Sequence, residues 1–441
     1  MASTYLHKNQ GTPTNAKKFT ASCWFKRFDL GTAQRLFQGF ADSSNRLYVK
    51  FGTDNKLLIF AAEGGTDRVN WTTTRAFRDS NAWYHLVLVG DSTESTEADR
   101  IKLYINGEQI TDFTKTTTNI TQNMDWGIQL AQTNQTFTIS GNESHAELFD
   151  GLISHFHYVD GTAYQASTFG STDSTTGEWK INTNPTITMG NNGFTIMKDG
   201  NTVTDQSSNS NDWTVGAGTL GNTEDNPSNV FPVLNQLNPQ ASGYTFDGLG
   251  SLSVTGNTGD AWRTMYATFG ARTGKYYWEQ KITNFTGTDP HYIGIVSDDQ
   301  MSNSNYDSSL ASRGYFYTAT GDKRNNNSQT SYGNSWTTND IVGVALDLDN
   351  SKVFFSKNGV FQDSGDPANG TNPAYTITSG YTYIPATSTY YNLNRYAMNF
   401  GNGSFGTSAI ASEGTNASNI GKFEYDVPTG FTALSTKGLN E

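Results

Sequence analysis

The sequence has only one cysteine, Cys23, in 441 residues. That excludes an intramolecular disulfide framework and a multi-cysteine zinc site. Charge is also scarce: charged residues make up 16% of the chain, against roughly 25% in an average domain. Lys+Arg number 29 against 41 Asp+Glu, a net charge of −12 with no basic block. Neither a nucleic-acid footprint nor a polybasic lipid-binding stretch can be built from that. No run of about 20 apolar residues occurs, so membrane insertion by a helix is not expected. The start, MASTYLHKNQ, lacks a charged-then-apolar design, and no Sec secretion is expected. Glu, Lys and Ala are too sparse for a coiled coil. Aromatics, at 13%, are too abundant for a disordered chain.

What remains is a large all-β protein with polar, uncharged loops. Short β-branched and aromatic runs recur between Gly, Asn, Asp and Ser: FTASCWFKRF (19–28), RLYVKFG (46–52), KLLIFAA (56–62), WYHLVLVG (83–90), HYIGIVS (291–297) and KVFFSKNG (352–359). In WYHLVLVG, Trp83, His85, Val87 and Val89 share one face, and Tyr84, Leu86 and Leu88 the other. Both faces are largely apolar, as for a strand inside a sandwich. Asn106-Gly107 and Asn358-Gly359 each follow such a run and suit the positive φ of a type I′ turn, so each predicts a tight hairpin. Residues 186–240 have few apolar runs and carry Pro227, Pro232 and Pro239. They read as a connector packed along a domain surface, with one strand near Gly193–Lys198.

The segments FTASCWFKR, RDSNAWYHLVLVGD, DRIKLYINGEQI and FDGLISHFHYVDGTAY together resemble laminin-G-like and pentraxin-like domains of the concanavalin A-like lectin/glucanase group. GKYYWEQKI, HYIGIVSDD, GVALDLDNSKVFFSKNGVFQ and YAMNFGNGSF resemble a SPRY domain. The expected architecture is two tandem β-sandwiches, a jelly-roll concanavalin A-like domain at 1–185 and a SPRY-like domain at 241–441, with the packed connector at 186–240 between them. The combination, with TDSTTGEWK (172–180) and DQSSNSNDW (205–213), resembles a recurring tailed-phage virion protein of marine type. That resemblance implies a virion-surface component: a head fibre, decoration or tail appendage. Its partners would be other virion proteins and a host surface glycan or protein, and its assembly a homo-oligomer, with a trimer favoured.

Each chemistry has a plainer rival. Glucanases of this fold resemble one another in a Glu-x-Asp-x-Glu strand, which is missing here. Asp347 and Asp349 alternate without a third carboxylate, so no enzyme is expected. Cys23 lies inside a strand and reads as a small buried hydrophobe. His155 and His157 are two apart and would share one strand face, without the further ligands zinc needs. Calcium, which takes six to eight oxygens, could use the loops Asn123–Asp125 or Asp205–Asp212, although Asx-rich turns are also ordinary turn chemistry. Sugar or protein recognition is the favoured reading. Its candidate rings are Trp71, Trp126, Trp262, Tyr332 and Trp336, with Tyr390 and Tyr391 as a further patch. Their plain alternative is that they plug the ends of the sandwiches. The rival functions are a purely structural decoration or adaptor, a glycan-degrading enzyme, and an extracellular adhesion protein.

Overall fold

The structure is a computed structural model. It describes residues 4–129, 136–198, 200, 202–238, 244–247, 253–254, 262–285, 291–301, 311–390 and 394–440. Among the described residues the only helical elements are three-residue 3-10 turns, and every long element is a β-strand. The chain divides into two compact units, Met1–Asn222 and Thr223–Glu441.

The first unit pairs two antiparallel sheets. The larger runs in the order Phe113–Thr118, Thr66–Ala76, Lys56–Glu63, Asn45–Phe51, Gln34–Asp42, Thr136–Ile139, Tyr5–Asn9 and Thr214–Ala217. The smaller runs Phe194–Ile196, Gly151–Asp160, Lys18–Arg27, Tyr84–Asp91, Ile101–Ile105 and Glu108–Ile110. Period-2 alternation decides which side chains enter the core. Phe19, Ala21, Cys23 and Phe25 project from the smaller sheet toward Phe37, Val49, Ile59 and Trp71 of the larger one. Each large apolar side chain buried in this way contributes roughly 1.5–3 kcal/mol.

The two-sided apolar character of Tyr84–Asp91 has a direct cause. Val87 and Val89, on its far face, are covered by Phe169, Trp179, Ile187 and Met189. The chain after the last long strand therefore forms a third layer over the smaller sheet.

Residues 186–240 do not form a separate connecting module. Phe194–Ile196 pairs with Gly151–Asp160, Trp213 sits in the core at 5% exposure, and Thr214–Ala217 extends the larger sheet beside Tyr5–Asn9. Further on, Phe231, Val233 and Leu234 are buried and Val230 N–H donates to Thr436 Oγ1 (2.9 Å) inside the second unit. The polar composition misled because short strands and Asx turns bury few side chains per residue.

The second unit repeats the plan. Lys275–Asn284 is central to one sheet, between Arg395–Asn399 and Ile341–Asp347, and the latter pairs onward with Lys352–Lys357. The other sheet runs Arg263–Tyr266, Tyr383–Thr389, His291–Ser297, Gly314–Thr318, Asp322–Asn325 and Ser328–Ser331. Both expected hairpins are present. Asn106 (φ 50) and Gly107 (φ 79) join Ile101–Ile105 to Glu108–Ile110, and Asn358 (φ 49) and Gly359 (φ 80) join Lys352–Lys357 to Val360–Phe361.

Candidate functional site

The five candidate rings separate sharply. Trp71 is 4% exposed, and its indole N–H donates to Thr118 Oγ1 (2.8 Å) and Thr117 O (3.1 Å). Trp126 is fully buried, donates to Lys17 O (3.0 Å) and meets Phe19 edge-on at 5.6 Å. Tyr332 is 7% exposed and accepts Phe355 N–H (3.3 Å). Trp336 is 2% exposed and packs T-shaped on His291 at 5.0 Å. A sugar needs an open ring face, and these four lack one. The reading of Trp71, Trp126, Tyr332 and Trp336 as binding rings is therefore corrected: they are core side chains. Their polar neighbours look like loop, but the rings themselves point inward. For Trp71 the clue was its alternation with Val69 and Thr73.

Trp262 differs. It is half-buried and lies 4.9 Å from Tyr292 and 5.7 Å from Tyr390 between ring centroids. Strand pairing brings these residues together. Arg263 and His291 both pair with Thr389, so the flanking Trp262, Tyr390 and Tyr292 gather at one corner of the sheet. Arg324 Nη1 donates to the Tyr292 hydroxyl (2.9 Å), and its guanidinium carbon lies 5.2 Å from that ring's centroid. Its Nη2 donates to Asn327 Oδ1 (2.9 Å). The corner thus joins two half-exposed rings to a guanidinium and side-chain amides. Tyr391 lies outside the described residues.

The titratable groups are committed elsewhere. Ser22 Oγ and His85 Nε2 are 2.9 Å apart, which superficially looks like a nucleophile and its base. Trp179 Nε1, which can only donate, points at His85 Nδ1 (2.9 Å). The proton of neutral His85 is then on Nε2 and is donated to Ser22, the reverse of what general-base activation needs. Burial pulls the pKa of His85 down to about 3, helped by the nearby His157 and His155. His157, also buried and pulled to about 3, bonds Thr195 Oγ1 (2.9 Å). A bulge lies between Ser154 and His157, with His155 at φ 49, yet the His155 and His157 rings stay neighbours, 6.3 Å between centroids. No cluster of three or more His, Cys, Asp or Glu suited to a metal occurs among the described residues.

The carboxylates act as internal fasteners. Asp347 pairs with Lys275 (3.0 Å) and accepts from Asn350, while Asp349 accepts Gly274 N–H (2.7 Å). Glu279, which the sequence reading missed, is fully buried. It accepts N–H bonds from Glu424 and Tyr425 (both 2.9 Å) and from Asn399 (3.2 Å), and an O–H bond from Tyr277 (3.2 Å). Desolvation outweighs these donors and pushes its pKa to about 7. The Cys23 thiol is buried and its pKa is raised by desolvation.

In both proposed calcium loops, oxygens a cation would need are already taken by donors. Lys17 Nζ donates to Asn123 O (2.7 Å) and Asp125 Oδ1 (2.9 Å), so an ammonium occupies the place a cation would take. Asp205 accepts the N–H groups of Thr195, Ser207 and Asn211 and the Ser207 hydroxyl. Asp212 Oδ1 accepts Asp205 N–H (2.8 Å). Oxygens already filled by donors are poor ligands for a hard cation.

Comparisons with known proteins agree with this architecture. Residues 2–167 match the family model described as the concanavalin A-like lectin/glucanases superfamily, and residues 275–402 match the SPRY domain model. An ATP-dependent RNA helicase, DDX1, of Xenopus laevis is 34% identical over 132 residues, covering 29% of this chain. The chain spans 17% of that relative's length. Among solved structures, the SPRY domain of human HERC1 is 20% identical (TM-score 0.28; 33% of this chain, 87% of that one). A second human SPRY domain is 17% identical (TM-score 0.27; 36% and 96%). Stonustoxin is 13% identical (TM-score 0.27; 38% and 27%). The chain carries a concanavalin A-like domain of laminin-G type in its N-terminal part and a SPRY domain in its C-terminal part.

Proposed function

We propose that this chain is a surface component of a tailed-phage virion, a head fibre, decoration or tail appendage, that recognises a glycan or protein without catalysis and serves host attachment. The observation that carries the recognition reading is the Trp262 corner, where half-exposed Trp262 and Tyr390 adjoin Tyr292, whose hydroxyl accepts from Arg324. An aromatic ring beside amide and guanidinium groups suits a hydroxylated or peptide ligand.

The virion part of the reading rests on the resemblance of two segments to such proteins, and both segments have a structural task here. In TDSTTGEWK, Asp173 accepts the N–H groups of Thr175 and Thr176 (both 2.9 Å), and Trp179 fastens onto His85. In DQSSNSNDW, Asp205 closes an Asx turn and Trp213 enters the core. The polar, weakly charged surface suits a particle-borne protein. Several copies on one particle, proposed to be trimers, would raise avidity without new contacts.

Immunogold electron microscopy of intact particles tests this, with antibodies against residues 1–185 and 241–441. Label at a tail tip or distal fibre end is expected. Uniform head label would favour decoration without a host ligand, and particles free of label would end the virion reading. Trp262→Ala should abolish attachment of the purified chain to host cells while leaving its melting temperature within a few degrees of the parent.

A further inference from the structure

A lysine and a carboxamide meet where the first and last strands of the larger sheet of the first unit lie side by side. Tyr5–Asn9 is paired between Thr136–Ile139 and Thr214–Ala217. The period of 2 puts Lys8 on the same side of its strand as Leu6, which is a core residue. In the register Lys8 is paired with Phe137, another core residue. The half-buried Lys8 ammonium reaches Asn211, 203 positions later, and its Nζ donates to Asn211 Oδ1 (2.9 Å).

The carboxamide is held in place from its other side. Its Nδ2 donates to Asn191 O and Gly193 O (both 2.8 Å), and the Asn211 backbone N–H donates to Asp205 Oδ2 (2.8 Å). Its carbon is one C=O bond of about 1.2 Å beyond Oδ1, so Nζ lies within about 4 Å of that carbon. A small rotation of the lysine closes this to the roughly 3–3.5 Å of a near-attack geometry. Burial pulls the pKa of Lys8 below that of an ordinary lysine, although Asp205 and Asp212 oppose the shift. A desolvated ammonium gives up its proton more readily, and the neutral amine is the nucleophile. The donors on Asp205 occupy both its oxygens. Asp212 is exposed and, among the described residues, engages only Oδ1, with Asp205 N–H (2.8 Å). Its other oxygen is open to a proton.

We propose that Lys8 and Asn211 join in an intramolecular isopeptide bond. The Lys8 ammonium passes one proton to the Asp212 carboxylate. The neutral Nζ then attacks Asn211 Cγ, so that the Nζ–Cγ bond forms and the Cγ–Nδ2 bond breaks. Nδ2 takes a second proton from Nζ and leaves as ammonia, which recovers the first proton from Asp212 and departs as ammonium. Nothing is oxidised or reduced, and the two side chains together lose one ammonia. Asn191 O and Gly193 O accept from the departing nitrogen, and Asp205 fixes the Asn211 backbone. The bond closes residues 8–211 into one covalent loop. Tension applied through the residues before Lys8 then crosses the link to residue 211 and passes on to Thr223–Glu441, and the sandwich strands between carry no load. The proposal stands on the first unit alone and does not depend on Trp262.

Intact-mass spectrometry of the freshly purified full chain is the test. The mass should fall about 17 Da short of the sum of the residues, the mass of one ammonia. A succinimide at an Asn-Gly pair loses the same mass, so a tryptic digest follows. The linked chain should give one branched peptide joining residues 1–17 to residues 199–263, because an acylated Lys8 is not cleaved. Lys8→Arg keeps the charge and the hydrogen-bond donor but loses the nucleophile. It should show no mass deficit, and its first unit should melt roughly 10 °C lower, because the link across 203 positions is gone. Asp212→Asn should leave most of the freshly purified chain unlinked. A parent mass without the deficit, a deficit that persists in Lys8→Arg, or a digest without the branched peptide overturns the proposal. Complete linking in Asp212→Asn overturns the role of Asp212 as proton acceptor.

Discussion

Burial decides what each aromatic or titratable residue can do here. Trp126→Ala and Trp336→Ala remove fully enclosed indoles and should cost about 3–5 kcal/mol in denaturant unfolding. Trp262→Ala, at a half-open corner, should cost far less and show its effect in binding. The histidines carry a pH signature. His85, His157 and His291 are buried, and each pKa is pulled from 6.5 to about 3 by desolvation. Their neutral forms support the fold fully above pH 6.5, and that support is lost as pH falls through about 3. Each contributes on the order of 5 kcal/mol across that window. Melting temperature should therefore drop steeply with acidification below pH 6, and His291→Gln should flatten the slope for the second unit. Glu279 has the opposite sign. Its pKa is raised from 4.5 to about 7 by burial, so its contribution is greatest below pH 4.5 and is lost as pH rises through 7. Glu279→Gln should remove the part of the pH 5–7 slope that comes from this carboxyl.

At the scale of elements, turns and bulges set which face a side chain reaches. Gly107 sits at φ 79, and a Cβ there would lie 2.3 Å from the Trp179 ring. Gly107→Ala should therefore destabilise the first unit by roughly 1–3 kcal/mol in a urea titration, combining left-handed strain with a clash. Asn106→Gly eases the positive φ but removes the Oδ1 that accepts His85 N–H (2.7 Å), and should cost about 1 kcal/mol. The hairpins were legible because Asn-Gly answers a local backbone demand. The bulge at His155 was not, because one extra residue in a strand leaves no compositional trace. Trp179 was equally hidden. Its segment reads as loop, yet its indole determines the tautomer of a histidine 94 positions earlier.

For the whole molecule, the chain passes from one compact unit to the other between Asn222 and Thr223, well inside the span that composition marks as connector. A fragment ending at residue 185 would lose the Phe194–Ile196 strand and Trp213. We expect 1–222 to unfold cooperatively by circular dichroism and 1–185 to be insoluble or molten. Chelation should leave the melting temperature unchanged, because Lys17 holds the Asn123–Asp125 loop without a metal.

What the sequence determined by itself was the all-β class, the two hairpins and the order of two sandwich domains. These rest on local periodicity, turn chemistry and motifs that neighbouring residues carry together. The tertiary structure alone decided which tryptophans are enclosed, which aspartates spend their oxygens on backbone donors, and which lysine meets a carboxamide. Those properties arise between residues tens to hundreds of positions apart, where exposure and pairing depend on what the fold lays over each side chain.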